Sequence, residues 1–187
     1  MLGDVRIQLE DFDVGSEIAR AASTSDDIGA IASFVGLCSG EGGSLEGIEI
    51  EAYPAMARVE LDRILHAASA RWALDSVKVV HRYGRISVGE RIVLVVVAAR
   101  HRRDAFAAAE FIMDFLKQSA PFWKRGLNAD GDREASRWIG AKSADAVAAS
   151  RWNEEGTNVT ATCEERLERS GRYARIDARK SPSEQGR

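Results

Sequence analysis

The sequence has few of the features that mark a secreted, membrane-spanning or fibrous protein. Its 187 residues include three prolines, sixteen glycines and two cysteines, which excludes a collagen-like chain and a disulfide framework. The longest apolar run, residues 92–99, is too short to span a bilayer and predicts a buried strand. The N-terminus has no basic stretch followed by an apolar one, so we expect no signal peptide and a cytoplasmic location.

Histidine is scarce as well, and its spacing does not suit a metal. His66, His81 and His101 have no ligand spacing and no neighbouring cysteine pair, so we expect neither a metal nor another cofactor. The glycines after residue 39 lack the Gly-Lys-Ser/Thr ending of a phosphate-binding loop, which favours a flexible connection. Cys38 could carry sulfur, but nothing marks its thiolate as stabilised, and a small buried residue is the favoured interpretation.

Charge is distributed unevenly along the chain. The first 60 residues carry twelve acidic and three basic side chains, whereas the remainder carries seventeen acidic and twenty-three basic ones. The formal net charge of −3 makes the protein a poor candidate for coating nucleic acid. A local basic cluster could still hold one small anion.

Strand and helix patterns alternate in the first half of the sequence. Residues 5–9 and 45–53 alternate apolar and polar side chains and predict half-buried strands, while the apolar run 28–37 predicts a central strand. Asp13 suits the N-cap of a short helix, and Pro54 suits the first turn of a longer one. The longer helix has an apolar face at helical period, made by Met56, Val59, Leu61, Ile64, Leu65 and Ala68.

The second half begins with a predicted hairpin and the strongest helix pattern. Residues 76–83 and 91–99 are two β-branched runs joined by a turn at 88–90. The helix pattern covers residues 101–118 and ends before Pro121. Its apolar positions are Phe106, Ala109, Met113 and Leu116.

The last part of the chain divides into a short structured end and a polar tail. A strand near Trp138 and a helix from about residue 144 complete a domain that we expect to cover residues 1–152. Residues 153–187 hold seven acids, seven bases and only isolated apolar side chains. Such a segment buries too little apolar surface to offset its ordering entropy, so we expect a largely disordered tail.

Basic side chains gather around both ends of the strongest helix. Residues 100–103 (Arg-His-Arg-Arg) lie where a strand ends and the helix begins, so backbone N–H groups and cations can meet one anion there. Lys117 lies near the far end, with Met113 one turn earlier on the same face. Lys124 follows two aromatic residues, and a desolvated lysine is a candidate acid, base or nucleophile.

Two other interpretations of these basic residues stay open. The lysines could belong to a solvated helix end that the helix dipole favours. Nucleic-acid binding by residues 100–103 would need interleaved aromatic side chains, which the cluster lacks. Geometry adds a constraint, because His101 and Lys117 are about 24 Å apart along a helix. If both residues are functional, there are either two sites or one site completed by a second subunit.

At these residues the sequence resembles the large-subunit family of molybdopterin synthases. The resemblance covers residues 4–152 in order, and the two most specific stretches are ARHRRDAF (99–106) and FIMDFLKQSAPFWKR (111–125). The other matching segments are Ser33-Phe34-Val35-Gly36, Glu51-Ala52-Tyr53-Pro54-Ala55-Met56, His81-Arg82-Tyr83-Gly84, Val88-Gly89-Glu90, Arg137-Trp138 and Arg151-Trp152.

The resemblance implies a fold, a reaction and partners. The family fold is an α+β hammerhead with a mixed or antiparallel sheet and packed helices, and it forms homodimers. The reaction adds two sulfurs to cyclic pyranopterin monophosphate to make molybdopterin, in molybdenum cofactor biosynthesis. The sulfur arrives as a thiocarboxylate on the Gly-Gly tail of a small ubiquitin-like subunit, which binds each large subunit to give a heterotetramer.

The resemblance also implies roles for particular residues. Lys117 would be the main catalytic residue, with Lys124 as its neighbour in contact with substrate. Met113 would form a pocket wall, while His101 and Arg102 would reach the pocket of the other large subunit.

Two positions depart from the family pattern. Ser39 stands where the family has an arginine that helps to bind the anionic substrate. Lys142 stands where the family often has a second such arginine, which keeps the charge but loses the bidentate fork. The competing hypothesis is therefore a non-catalytic paralogue that dimerises and docks the small subunit but binds substrate poorly because of Ser39.

Overall fold

The structure is a computed structural model that describes residues 3–127, 138–139 and 143–152. This part of the chain folds into two four-stranded sheets and four α-helices. The strands are β1 (Gly3–Gln8), β2 (Ala30–Leu37), β3 (Gly47–Ala52), β4 (Leu74–Arg82), β5 (Gly84–Ser87), β6 (Arg91–Ala99), β7 (Phe122–Leu127) and β8 (Trp138–Ile139). The helices are α1 (Val14–Ala22), α2 (Pro54–Arg71), α3 (Arg102–Ser119) and α4 (Ser143–Ser150).

The first sheet is the stable centre of the molecule. Its strand order is β1-β4-β6-β2, with β1 parallel to β4 and the other pairs antiparallel. Val79 and Val95 face one another within the core that α2 and α3 cover, while Val80 and Leu94 face the side that α1 covers. Burying a side chain of this kind contributes about 1.5–3 kcal/mol, so two covered faces hold β4 and β6 firmly.

The second sheet places Lys124 on the same face as a buried core residue. Its order is β5-β3-β7-β8, and all of its pairs are antiparallel. Ile50 of β3 is buried in the core and lies opposite Lys124 of β7. Because side chains alternate along a strand, Lys124 shares the inner face with Ile50. On the outer face, Arg125 donates hydrogen bonds to Glu49 (2.8 Å) and Glu51 (3.1 Å).

An aromatic cluster attaches the end of the described chain to α3. The Phe111 ring of α3 lies 5.4 Å from the Trp72 ring and 5.5 Å from the Trp152 ring, centroid to centroid. Arg71 donates a hydrogen bond of 2.7 Å to the Trp152 carbonyl oxygen. Trp152, which follows α4, is therefore fixed against α3. The predicted division of the chain at residue 152 stays a prediction, since residues 153–187 lie outside the described residues.

Most predicted elements are confirmed. Helix α1 begins after Asp13, whose carboxylate accepts a hydrogen bond from the Ser16 backbone N–H at 2.7 Å, and α2 begins with Pro54. Helix α3 covers nearly the predicted residues and ends two residues before Pro121. The predicted last strand and last helix correspond to β8 and α4.

Two predictions about the strands need correction, and one strand was missed. The apolar run 28–37 contains β2, which is an edge strand and not a central one. Strands β4 and β6 do pair antiparallel, but β5 lies between β4 and the predicted turn at 88–90 and joins the second sheet. Strand β7 was not predicted, because residues 122–127 mix aromatic, basic and glycine residues without the alternation that marks a strand.

Two apolar residues that were assigned to buried helix faces are exposed. Val59 of α2 is 70% exposed and Phe106 of α3 is 66% exposed. Periodicity identifies the side of a helix but not what covers it, and no described element covers these two positions. None of the helices in the described residues has both the length and the apolar composition needed to cross a membrane.

His81, at the end of β4, is a buried neutral base. Its ring stacks on Phe122 with centroids 3.7 Å apart, and Nδ1 lies 2.7 Å from the Arg82 carbonyl oxygen, so Nδ1 carries the hydrogen and donates it. Burial, and then the positive charge of Lys124, lowers the pKa of His81 to about 3. The ring is therefore uncharged in the folded protein at neutral pH.

We predict that His81 makes the free energy of unfolding fall as the pH falls. The unfolded chain protonates His81 near its ordinary pKa of 6.5, whereas the folded protein does so only near pH 3. The contribution of His81 is thus fully present above pH 6.5 and is lost as the pH falls towards 3. The variant His81→Phe keeps a ring against Phe122 and should lose this slope. Urea unfolding between pH 7.5 and about 5, above the range in which carboxyl groups titrate, measures it. Equal slopes for both proteins would contradict the prediction.

Candidate active site

A groove between α3 and the edge strand β2 contains the predicted catalytic lysine. Its volume is about 380 Å³. One wall is a single face of α3 and the other is the middle of β2. The lining residues are Ala32, Ser33, Phe34, Phe106, Ala109, Glu110, Met113, Asp114 and Lys117.

Helical geometry places two of the predicted site residues of α3, Met113 and Lys117, side by side. Met113 and Lys117 are four residues apart, so their side chains lie one above the other on one face of the helix. The Met113 side chain is buried and forms apolar wall, while Lys117 is exposed at the end of the groove. The structure therefore brings together the two residues that the sequence had paired.

Two exposed aromatic rings flank the groove. Phe34 of β2 is 41% exposed, and Phe106 stands near the start of α3. Since β2 is an edge strand, this apolar surface lies beside backbone groups that no strand in the described residues pairs with. The apolar run 28–37, which had predicted a central strand, instead forms one wall of the groove.

The groove also contains two carboxylates, Glu110 and Asp114. Arg151 contacts both, with a guanidinium nitrogen 2.7 Å from Glu110 Oε1 and 2.7 Å from Asp114 Oδ2. The indole N–H of Trp152 donates a second hydrogen bond to Asp114 Oδ2, at 2.8 Å. The hydrogen bond to Glu110, and then that to Asp114, raises the pKa of Arg151. The acidic pair was not predicted; its only signal in the sequence was the Arg151-Trp152 match.

Lys124 is not among the residues that line the groove. It lies on the inner face of β7, two residues after the Phe122 ring that stacks on His81. The positive charge of Lys124 contributes to the lowered pKa of His81. Lys124 is half-buried, whereas Trp123, one of the two aromatic residues that precede it, is 44% exposed.

His101 and Arg102 lie at the opposite end of α3 and do not line the groove. His101 is the N-cap residue, without a side-chain capping hydrogen bond, and all four residues of the basic cluster 100–103 are exposed. The helix separates them from Lys117 by about 24 Å, as the sequence had indicated. Within one copy of the chain, the structure does not bring these residues to Lys117.

Neither of the two positions that depart from the family pattern is among the described residues in the lining of the groove. Ser39 is exposed just after β2, and its hydroxyl accepts a long hydrogen bond of 3.4 Å from the Glu41 backbone N–H. It is not among the described residues that line the groove. Lys142 lies outside the described residues, so its predicted role is untested.

Cys38 has the properties of a structural residue. It is buried in the core, and desolvation, followed by the charge of Glu90, raises the pKa of its thiol. A protonated, enclosed thiol is a poor nucleophile, which confirms the interpretation of a small buried side chain. Among the described residues, no group of three His, Cys, Asp or Glu side chains is arranged to hold a metal ion.

Comparison with known proteins identifies the family. The family model described as "MoaE protein" matches residues 7–119. The molybdopterin synthase catalytic subunit of Rhizobium meliloti is 48% identical over 148 residues, which is 79% of this chain and 94% of that protein. The catalytic subunit of Mesorhizobium japonicum is 50% identical over 148 residues, covering 79% and 92% of the two chains.

Solved structures agree with the sequence relatives. A molybdopterin biosynthesis MoaE protein from Burkholderia ambifaria superposes with a TM-score of 0.68 at 41% identity, covering 80% of this chain and 97% of the other. A complex of subunits 1 and 2 of the molybdopterin-converting factor from Helicobacter pylori has a TM-score of 0.59 at 21% identity, covering 76% and 92%, and shows likeness of fold. The α+β architecture of two sheets and packed helices is therefore that of these proteins, and the chain belongs to the MoaE family, the catalytic subunits of molybdopterin synthase.

Proposed function

We propose that the chain transfers sulfur from the thiocarboxylated C-terminus of a small ubiquitin-like subunit to cyclic pyranopterin monophosphate, making molybdopterin. As a molybdopterin synthase catalytic subunit, it is a sulfurtransferase of molybdenum cofactor biosynthesis. The observation that carries the proposal is the groove in which Met113 and Lys117 lie side by side. A cytoplasmic location belongs to the proposal and suits a reduced, buried Cys38.

The shape and charge of the groove support a peptide tail as one ligand. The groove is open along α3, has apolar walls at Phe34 and Met113, and ends at the Lys117 cation. A Gly-Gly tail has no side chains, so its backbone can approach such walls closely. Its terminal anion would then meet the ammonium group. The Helicobacter pylori neighbour, as a complex of two subunits, supports a small partner.

Lys117 is the proposed catalytic residue. An ammonium group placed where negative charge develops lowers the barrier of an acyl or sulfur transfer, because it is oriented before the reaction begins. Lys124 would contact the substrate from the inner face of β7, where partial burial strengthens its interaction with an anion. Met113 would form the wall of the pocket.

A homodimer would complete the site with His101 and Arg102 of the partner subunit. The separation of about 24 Å along α3 excludes both ends of one helix from a single small ligand. A twofold axis that sets two α3 helices antiparallel would bring the start of one beside the end of the other. The exposed rings of Phe34 and Phe106, next to the edge strand β2, give such a contact apolar surface to bury.

The competing hypothesis of a non-catalytic paralogue rests on Ser39. Losing an arginine that contacts an anion would remove a charge-assisted hydrogen bond, worth roughly 1.5–3 kcal/mol. The retained lysines of the groove and of β7 favour the catalytic function, because they supply positive charge near the same ligand. Substrate binding by Lys142 remains part of this proposal.

The variant Lys117→Ala tests the proposed function. We expect it to abolish product formation with thiocarboxylated small subunit and pyranopterin substrate, while the melting temperature stays near wild type, since Lys117 is exposed. Arg58→Ala, which removes an exposed α2 charge paired with Asp62 at 3.8 Å, is the matched control and should leave turnover unchanged. Wild-type turnover in Lys117→Ala would contradict the proposal.

The variant Ser39→Arg tests the competing hypothesis. We expect a gain in substrate affinity of less than about tenfold, because other cations already supply much of the positive potential. The gain should shrink between low and moderate salt, since screening weakens an exposed contact. Affinity unchanged at both salt concentrations would mean that Ser39 does not face the substrate, and a gain of a hundredfold with activity appearing only in the variant would favour the paralogue.

A further inference from the structure

The groove carries two negative charges that work against an anionic ligand. Asp114 precedes Lys117 by three residues, so the two side chains are neighbours on the surface of α3. Glu110 lies one turn before Asp114 on the same face. Uncompensated carboxylates here would cancel the positive potential at Lys117 and repel any anion that enters the groove.

Both carboxylates are bound by the dipeptide Arg151-Trp152, which is not among the described residues that line the groove. The Arg151 guanidinium bridges Glu110 and Asp114 at 2.7 Å each. Asp114 Oδ2 accepts a further hydrogen bond of 2.8 Å from the Trp152 indole. Only 15% of the Asp114 side chain is exposed, so solvent screens this pairing less than a surface ion pair.

The dipeptide is fixed by the rest of the fold. The Trp152 ring lies 5.5 Å from the Phe111 ring and 5.8 Å from the Trp72 ring. Arg71 donates to the Trp152 carbonyl oxygen at 2.7 Å, and the Arg151 guanidinium lies 4.7 Å from the centroid of the Trp152 ring. The donors are thus held at the carboxylates by packing and do not depend on the groove being occupied.

We propose that Arg151 and Trp152 are positioning residues of this active site, which compensate Glu110 and Asp114 so that the groove around Lys117 attracts the anionic end of the sulfur donor. This inference rests on the proposed function, because it assumes that an anionic chain end enters the groove. It gives residues 151–152 an electrostatic role, in addition to their packing against α3.

The size of the effect follows from Coulomb's law. A charge restored at roughly 7 Å from the ligand, with an intermediate effective dielectric, changes affinity by about three- to tenfold. Glu110 and Arg151 are both partly exposed, so salt should reduce the effect. A purely structural contact would not respond to salt in this way.

The test compares Arg151→Gln in two backgrounds. In the otherwise wild-type chain it should raise KM for the thiocarboxylated small subunit about three- to tenfold at low salt, with little change in kcat and a smaller effect at high salt. In the Glu110→Gln/Asp114→Asn background, the Arg151→Gln chain should have a KM at or below the wild-type value, since the cluster of three side chains then carries no net negative charge. Trp152→Phe should raise KM by less. Arg58→Gln is the control of equal charge and should not change KM.

Calorimetric titration with the small subunit ending in an ordinary carboxylate separates this inference from the proposed function, because it needs no turnover. Weakened binding by Arg151→Gln, restored in the neutralised background, supports the inference even if no product forms. An unchanged KM and affinity in Arg151→Gln overturns it. A loss of affinity that does not shrink at high salt assigns Arg151 a structural role only and also overturns it.

Discussion

The packing of α3 against the first sheet is the constraint on which the rest of the structure depends. Its inner face buries Phe111, Ile112 and Phe115, so the helix is held over its whole length. A rigid helix of 18 residues fixes the distance between the basic residues at its start and the lysine at its end. Strand β2, the groove and the attachment of residues 151–152 all take their positions from this helix.

Charge on the outer face of α3 balances attraction and repulsion. In the proposed site, Lys117 would attract an anion to the groove, while Glu110 and Asp114, which line the same groove, would oppose it. The apolar cluster around Phe111 brings Arg151 to these carboxylates, so packing and electrostatics are linked in one place. Lys124 is held separately, by the register of β7 with β3, on the inner face of the second sheet.

The sequence predicted the features that depend on neighbouring residues, but not those that depend on tertiary contacts. Helical period and capping residues predicted α1, α2 and α3 closely, because Asp13 and Pro54 act locally. The same patterns could not show that β2 is an edge strand. An apolar run in the sequence is the same whether the strand packs in the core or lines a groove. The pairing of Met113 with Lys117 followed from helix geometry. The compensation of Asp114 by Arg151, 37 residues away, is a tertiary contact and had no local signal.

The site shared between two copies of the chain is the central claim, and complementation in mixed dimers tests it most directly. His101→Ala and Lys117→Ala chains, each with its own tag, would be co-expressed and the doubly tagged dimer purified. That dimer contains one pocket with both residues intact and one with neither. We predict turnover near half of the wild-type value in the mixed dimer and almost none in either parent dimer. A mixed dimer as inactive as its parents, with both tags confirmed, would contradict the account.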